Sequence, residues 1–297
     1  MWARLQLSGR KRLLRWVMPL GFVGLVMPSA VLGASTTPRP SAGTLVPEGS
    51  IVDNFNGPAG SAPNDRIWMH QQGQGLWGNG ELQNYTANDA NAHLDGHGHL
   101  IISAIRSGSD SDPTYTSARL ASIAAVGPVL HAEARIKMAS GYGLWPTFWL
   151  MGGDPYGAGW PVLGEVDVAE MAAKEPHTLF ATAHAFSTNP DAKPLGHWQS
   201  ATHLLLNSPV ASRYHIFAVD VTQNSIAWSI DHHVYKVLDR DQLPPNVVWS
   251  FNTPFHAILS LAVGGWFAGD PTSATKFPAE MKIDYVHINS YGVVQAD

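Results

Sequence analysis

From residue 51 onward the chain alternates apolar and polar residues in short runs, and no stretch sustains the period of a long amphipathic helix. In residues 131–138, Ala132, Ala134, Ile136 and Met138 alternate with His131, Glu133, Arg135 and Lys137, the pattern of a half-buried strand. Residues 100–104, 180–185, 216–219, 226–230 and 283–288 read the same way, and the Asp95-Gly96 and Gly98 positions mark a turn before the first of them. The 28 glycines and 21 prolines supply the breakers that many short strands require. Such a chain excludes a coiled coil or helical repeat. It predicts an all-β fold, a β-jelly-roll sandwich of two curved antiparallel sheets, in one domain over residues 51–297.

The first 34 residues differ. Arg4, Arg10, Lys11, Arg12 and Arg15 precede an apolar stretch that ends in small residues, the layout of a secretory signal peptide. Residues 35–50 are rich in Ser, Thr, Pro and Gly and read as a linker. Loss of residues 1–34 leaves 13 basic against 23 acidic residues, so the formal charge becomes −10 rather than −5. That charge excludes nucleic acid as a partner and favours a neutral polymer over a sulfated one. An exported protein, periplasmic or secreted, is expected, acting as a monomer and with no membrane insertion after cleavage. There are no cysteines, so no disulfide stabilises it.

The densest chemistry lies in Glu165-Val166-Asp167-Val168-Ala169-Glu170. Glu165 and Asp167 share one face of a strand, with Val166 and Val168 on the other. Plain alternation would send Glu170 into the core. A β-bulge near Val168-Ala169 absorbs one residue and turns Glu170 back to its acidic neighbours. With 7 Glu and 16 Asp in the chain, this E-x-D-x-x-E pattern arises by chance about 0.01 times. Crowded acids cannot all ionise, so at least one pKa rises. A protonated acid then sits beside an ionised one, as glycoside cleavage requires. The outer two lie roughly 13 Å apart along the strand, and curvature with long side chains must bring them to the roughly 5–5.5 Å of a retaining glycosidase.

Aromatic residues surround this motif. Strand parity places Trp145 and Trp149 on one face, with Phe148 and Leu150 on the other, and Pro146 predicts an edge strand or a bulge. Trp77, Trp160 and Trp266 lie near glycine-rich turns. Indole faces stack on sugar rings. The 14 histidines form no metal-binding motif, so no catalytic metal is expected. His184 lies on a strand that could face the same cleft, or serve as a structural histidine.

These motifs together resemble glycoside hydrolase family 16, and within it the laminarinase-like β-1,3-glucanases. Besides the acidic strand, the matching stretches are Trp77-Gly78-Asn79-Gly80-Glu81-Leu82-Gln83-Asn84-Tyr85-Thr86, Gly143-Leu144-Trp145-Pro146-Thr147-Phe148-Trp149, Ala262-Val263-Gly264-Gly265-Trp266 and Asp284-Tyr285-Val286. The resemblance implies a jelly roll with an open concave cleft and a retaining, endo-acting hydrolase of β-1,3- or mixed β-1,3-1,4-glucan. It implies Glu165 as nucleophile, Glu170 as general acid/base and Asp167 as the carboxylate that tunes the nucleophile. Asn79, Arg119, Trp145, Trp149, His184 and Trp266 are implied as sugar contacts. No cofactor is implied for catalysis. A structural Ca²⁺ on the convex face is implied, with Asp284 and backbone carbonyls near Asp53 as ligands. The chain departs from the family at Met171, at Asp231-His232-His233 and over residues 189–206, which match no family stretch. The alternatives are a galactan hydrolase or transglycosylase of the same fold, or a carbohydrate-binding lectin.

Overall fold

A computed structural model describes residues 44–75 and 77–294. The signal-peptide reading, and the linker reading up to residue 43, lie outside the described residues. In chain order the strands are β1 (Thr44–Asp53), β2 (Trp68–His70), β3 (Gly73–Gln74), β4 (Gln83–Tyr85), β5 (Ala92–Leu94), β6 (Leu100–Gly108), β7 (Pro113–Ser117), β8 (Arg119–Ser122) and β9 (Leu130–Lys137). They continue as β10 (Leu144–Gly152), β11 (Glu165–Glu170), β12 (Thr178–Phe186), β13 (His197–Leu205), β14 (His215–Val221), β15 (Ser225–Ile230), β16 (His233–Asp239), β17 (Phe255–Val263) and β18 (Ala279–Val294). A short α-helix, α1 (Gly265–Ala268), follows β17.

Two sheets face each other across one core. The front sheet has seven strands in the order β13-β12-β11-β10-β17-β8-β2. The back sheet has eleven, running β16-β15-β14-β9-β18-β6-β7-β4-β3, with β1 on β18 and β5 on β6. β1 begins at Thr44 and pairs with β18, so the linker reading is corrected: residues 44–50 belong to the back sheet. The β9 pattern came through intact, with Ala132, Ala134 and Ile136 fully buried and the polar positions partly exposed. From the front sheet Phe148, Leu150, Val166 and Leu259 point into the core; from the back sheet Ile102, Phe217, Val219 and Trp228 meet them. Truncation of such a buried aromatic to Ala costs about 3–5 kcal/mol.

One local reading is revised. β10 lies between β11 and β17 in the middle of the front sheet and is no edge strand, despite Pro146. The proline carbonyl accepts from Met171 N at 3.2 Å, just past the end of β11. Backbone N and O of one residue point to the same neighbour in an antiparallel pair, so the missing N–H falls where β11 has already ended. The β15–β16 hairpin turns through Asp231 and His232, both left-handed, with φ of 48° and 65°, where glycine would be easier. The Asp231 carboxylate holds the turn, accepting from His215 Nδ1 at 2.8 Å, Ile216 N at 3.0 Å and Arg213 at 3.0 Å. His232 is exposed, so its strain is relieved without loss of packing in His232→Gly. That variant should gain about 0.5–1 kcal/mol in denaturant unfolding, and a loss of stability would contradict the turn geometry.

Candidate active site

The front sheet presents its solvent face as a cleft of about 790 Å³. β11 crosses the floor. Its register against β10 pairs Trp149 with Asp167 but Phe148 with Ala169, and against β12 it pairs Asp167 with Thr182 but Glu170 with Phe180. One residue more is used on β11 than on either neighbour, which is a β-bulge at the expected place. Val168 and Ala169 are both fully buried in the core, and Glu165, Asp167 and Glu170 all line the cleft. The bulge frees a carbonyl at Asp167. The Trp228 indole, reaching across the core from β15, donates to that oxygen at 2.9 Å. A buried backbone acceptor left unpaired would cost about 1–3 kcal/mol.

Each acid has its own donor. Trp160 Nε1 donates to Glu165 Oε2 at 2.6 Å, and Trp145 Nε1 donates to Glu170 Oε1 at 3.1 Å. Thr182 adds a long contact of 3.5 Å to Glu170 Oε2. Asp167 Oδ2 lies 3.1 Å from His184 Nε2, and His184 Nδ1 lies 2.8 Å from His197 Nε2. Polar atoms of Glu165, Asp167 and His184 all fall within 4.8 Å of one another.

Desolvation dominates this group. Burial, and then the charge of Asp167, pushes Glu165 up to about 8, against the smaller pull of His184 and Trp160. Burial likewise raises Asp167, and it raises Glu170 well above the usual carboxylate range, with Asp167 the next cause. The Asp167 carboxyl is the charge that raises Glu165, so the two do not ionise independently and titrate as a pair.

The walls contain every other residue expected there, in differing roles. Asn79, Arg119, Trp145, Trp149, His184 and Trp266 all line the cleft. Trp266 is 80% exposed and offers an open ring at the rim. Trp145 packs its ring 4.9 Å from Phe267. Trp149, by contrast, is only 8% exposed, with the Arg119 guanidinium 4.5 Å over its ring. Trp149 thus lines the cleft as expected, with its ring stacked on the cation and largely buried. Trp77 covers the guanidinium's other side, also at 4.5 Å. Arg119 donates through Nε to Gln71, whose own amide donates to Pro155 O at 2.7 Å. The sandwich thus ties the loop between β10 and β11 to the cleft wall. Asn79 donates to Glu81 at 3.1 Å, which holds its side chain in the cleft lining.

Motif reading missed His197, Phe180, Thr182 and Phe267, which also line the cleft. β13 carries His197 inside the stretch that matched no family pattern. Its polar alternation, His197-Trp198-Gln199-Ser200-Ala201-Thr202, was the available signal for a solvated edge strand.

The Ca²⁺ expectation at Asp284 does not fit the residues present. The Arg135 guanidinium is paired with the Asp284 carboxylate. Asp53, on β1, uses both carboxyl oxygens on Phe55 N at 2.8 Å and Trp68 Nε1 at 2.9 Å. A fixed cation on the one acid ligand opposes a dication, which needs several free oxygens.

A cleft floored by a row of acids and walled by indoles is the arrangement of an enzyme that cleaves carbohydrate chains. The chain belongs to the glycosyl hydrolases family 16, whose model matches residues 78–287. It is similar to a β-glucanase of Rhodothermus marinus, 32% identical over 236 residues that span 76% of this chain and 80% of that protein. A glucan endo-1,3-β-glucosidase of Cryptopygus antarcticus is 35% identical over 235 residues, 74% of this chain and 82% of its own. Among solved structures, the endo-β-1,3-glucanase of Pyrococcus furiosus matches with a TM-score of 0.70 at 31% identity, covering 86% of this chain and 97% of that one.

The raised acids carry a stability cost with a definite sign. Glu165 is held near 8 when folded against 4.5 ordinarily, so between those values the folded state binds more protons than the unfolded one. Stability must then fall as pH rises through that window. Glu165→Gln removes the ionisation. The variant should be more stable than the wild type by an amount that grows from pH 4.5 to pH 8, on the order of 1–3 kcal/mol. Parallel stability curves for the two proteins across that range would contradict the burial of Glu165 as described.

Proposed function

We propose that this chain is an exported, retaining, endo-acting hydrolase of β-1,3-glucan, with mixed β-1,3-1,4-glucan as a related substrate. The observation that carries the reading is the bulged row of Glu165, Asp167 and Glu170 along the floor of a solvent-open cleft. An open cleft admits the interior of a long chain, whereas a closed pocket would take only its end. The family and the named relatives support the glucan reading.

Each acid has one role. In the first displacement Glu165, ionised when the shared proton rests on Asp167, attacks the anomeric carbon. The glycosidic C–O bond breaks as Glu170 gives its proton to the leaving oxygen. In the second, Glu170 takes a proton from water, the water oxygen bonds to the anomeric carbon, and Glu165 leaves. The raised Glu170 is suited to begin protonated. Asp167 keeps a proton close to the nucleophile and returns it as charge develops. Two inversions give net retention.

Trp266 supplies an apolar face for a sugar ring, and Asn79 supplies polar contact. Arg119 acts indirectly by locking Trp77 and Trp149 together. A neutral glucan suits a chain whose formal charge after signal removal is −10, with one buried guanidinium in the cleft. Export rests on the basic and apolar segments of residues 1–34. Among the described residues no helix is long and apolar enough to cross a membrane.

The test is a panel of laminarin, mixed-linkage glucan and galactan with product sizing. Internal cleavage of laminarin to mixed oligosaccharides is expected. Products longer than the starting oligosaccharide would establish transglycosylation instead, and an inert protein that still binds glucan would establish a lectin. Glu165→Gln and Glu170→Gln should each lower kcat by at least about three orders of magnitude while retaining the fold; near-wild-type turnover by either would overturn the assignment.

A further inference from the structure

His197 belongs to none of the motifs above. It lies on β13, the outermost strand of the front sheet, opposite Phe186 in the register that also sets His184 against Gln199. Its ring runs nearly parallel to that of His184, at 20° with centroids 5.0 Å apart, and Trp160 covers it at 4.8 Å. The same Trp160 donates to Glu165. A chain of contacts therefore leads from the sheet edge to the floor: His197 Nε2 to His184 Nδ1 at 2.8 Å, then His184 Nε2 to Asp167 Oδ2 at 3.1 Å.

Proton counting fixes this chain. A hydrogen bond between two imidazole nitrogens holds one proton. If His184 Nδ1 carried it, a neutral His184 would turn a bare Nε2 lone pair toward the Asp167 carboxylate. If His197 Nε2 carries it, His184 is free to hold its single proton on Nε2 and donate to Asp167. Both rings are then neutral and every polar contact is satisfied. The second arrangement also agrees with the burial that holds His197 neutral by lowering it to about 4. The groups acting on the link are His184 from β12 and Asp167, Glu165 and Glu170 from β11.

We propose that His197 is a positioning residue of the hydrolytic site: its Nε2–H fixes His184 in the Nε2-protonated tautomer, which keeps a donor on the carboxylate of Asp167. The tautomer of one ring nitrogen follows from the hydrogen bond that the other makes. Without His197, the His184 ring is free to turn or change tautomer. Asp167 then loses the donor that holds its carboxyl in place beside Glu165, and because its ionised form loses a hydrogen bond the first ionisation of the pair moves to higher pH.

The inference rests on the proposed roles of the acids, and its experiment separates the two. Nitrogen-15 NMR of the histidines in the wild-type protein should show His184 protonated at Nε2 and bare at Nδ1. A proton on Nδ1 instead would overturn the proposal whatever the enzyme cleaves. Failure of the wild type to cleave any glucan would remove the hydrolytic reading and leave that spectrum standing. His197→Leu should lower kcat on laminarin about tenfold with KM little changed, and move the acid limb of the kcat profile up by about one pH unit. His197→Gln, whose amide N–H can reach the same nitrogen, should recover most of both. A wild-type profile in His197→Leu, an equal loss in His197→Gln, or a loss carried by KM alone would overturn it. Should His197→Leu fail to fold, the wild-type spectrum and His197→Gln decide the matter.

Discussion

One extra residue in β11 determines what this sandwich can do. Without the bulge, Glu170 would fall on the core side of the front sheet, where an unpaired carboxyl is very costly. With it, two consecutive apolar residues, Val168 and Ala169, enter the core and three acids face the cleft. The irregularity is fixed from behind. Trp228, on the opposite sheet, satisfies the Asp167 carbonyl, so the back sheet contributes directly to the geometry of the front one. The core therefore holds the strand irregularity in place as well as stabilising the two sheets.

The chemistry follows from what surrounds the acids rather than from the acids alone. Indole donors from Trp145 and Trp160 reach the outer two, while burial drives all three toward their protonated forms. The result is a site with too few ionised carboxylates for its number of carboxyls at neutral pH, which lets proton donor and nucleophile coexist. Stability is sacrificed at alkaline pH to hold that state. The Trp77–Arg119–Trp149 sandwich supplies rigidity to the wall.

Much of this was legible in the residues. Alternation named the strands, and the offset between Asp167 and Glu170 required the bulge before any coordinates. What stayed hidden depended on contacts between distant segments. Trp149 has the parity of a cleft residue, yet a guanidinium 30 positions earlier in the chain covers it. Asp284 reads as a free acid until Arg135 is brought beside it by strand pairing. Pro146 argues for an edge until the end of β11 is seen to leave its missing N–H unopposed. Residues 44–50 look like a linker because the whole of 35–50 is rich in Ser, Thr, Pro and Gly, while their pairing with β18 comes from a partner more than 200 residues away. β13 lacked apolar alternation because one of its faces lines a polar cleft, and His197 went unread with it.

The central claim is that Glu165 and Glu170, brought to one face by the bulge, act on opposite sides of one anomeric centre. Azide rescue of the alanine variants on an activated β-glucoside oligomer tests it most directly. In Glu165→Ala the azide replaces the nucleophile and a single displacement should give the α-glycosyl azide; in Glu170→Ala the covalent step survives and azide should give the β-glycosyl azide. The reverse pair of anomers, or the same anomer from both variants, would contradict the account.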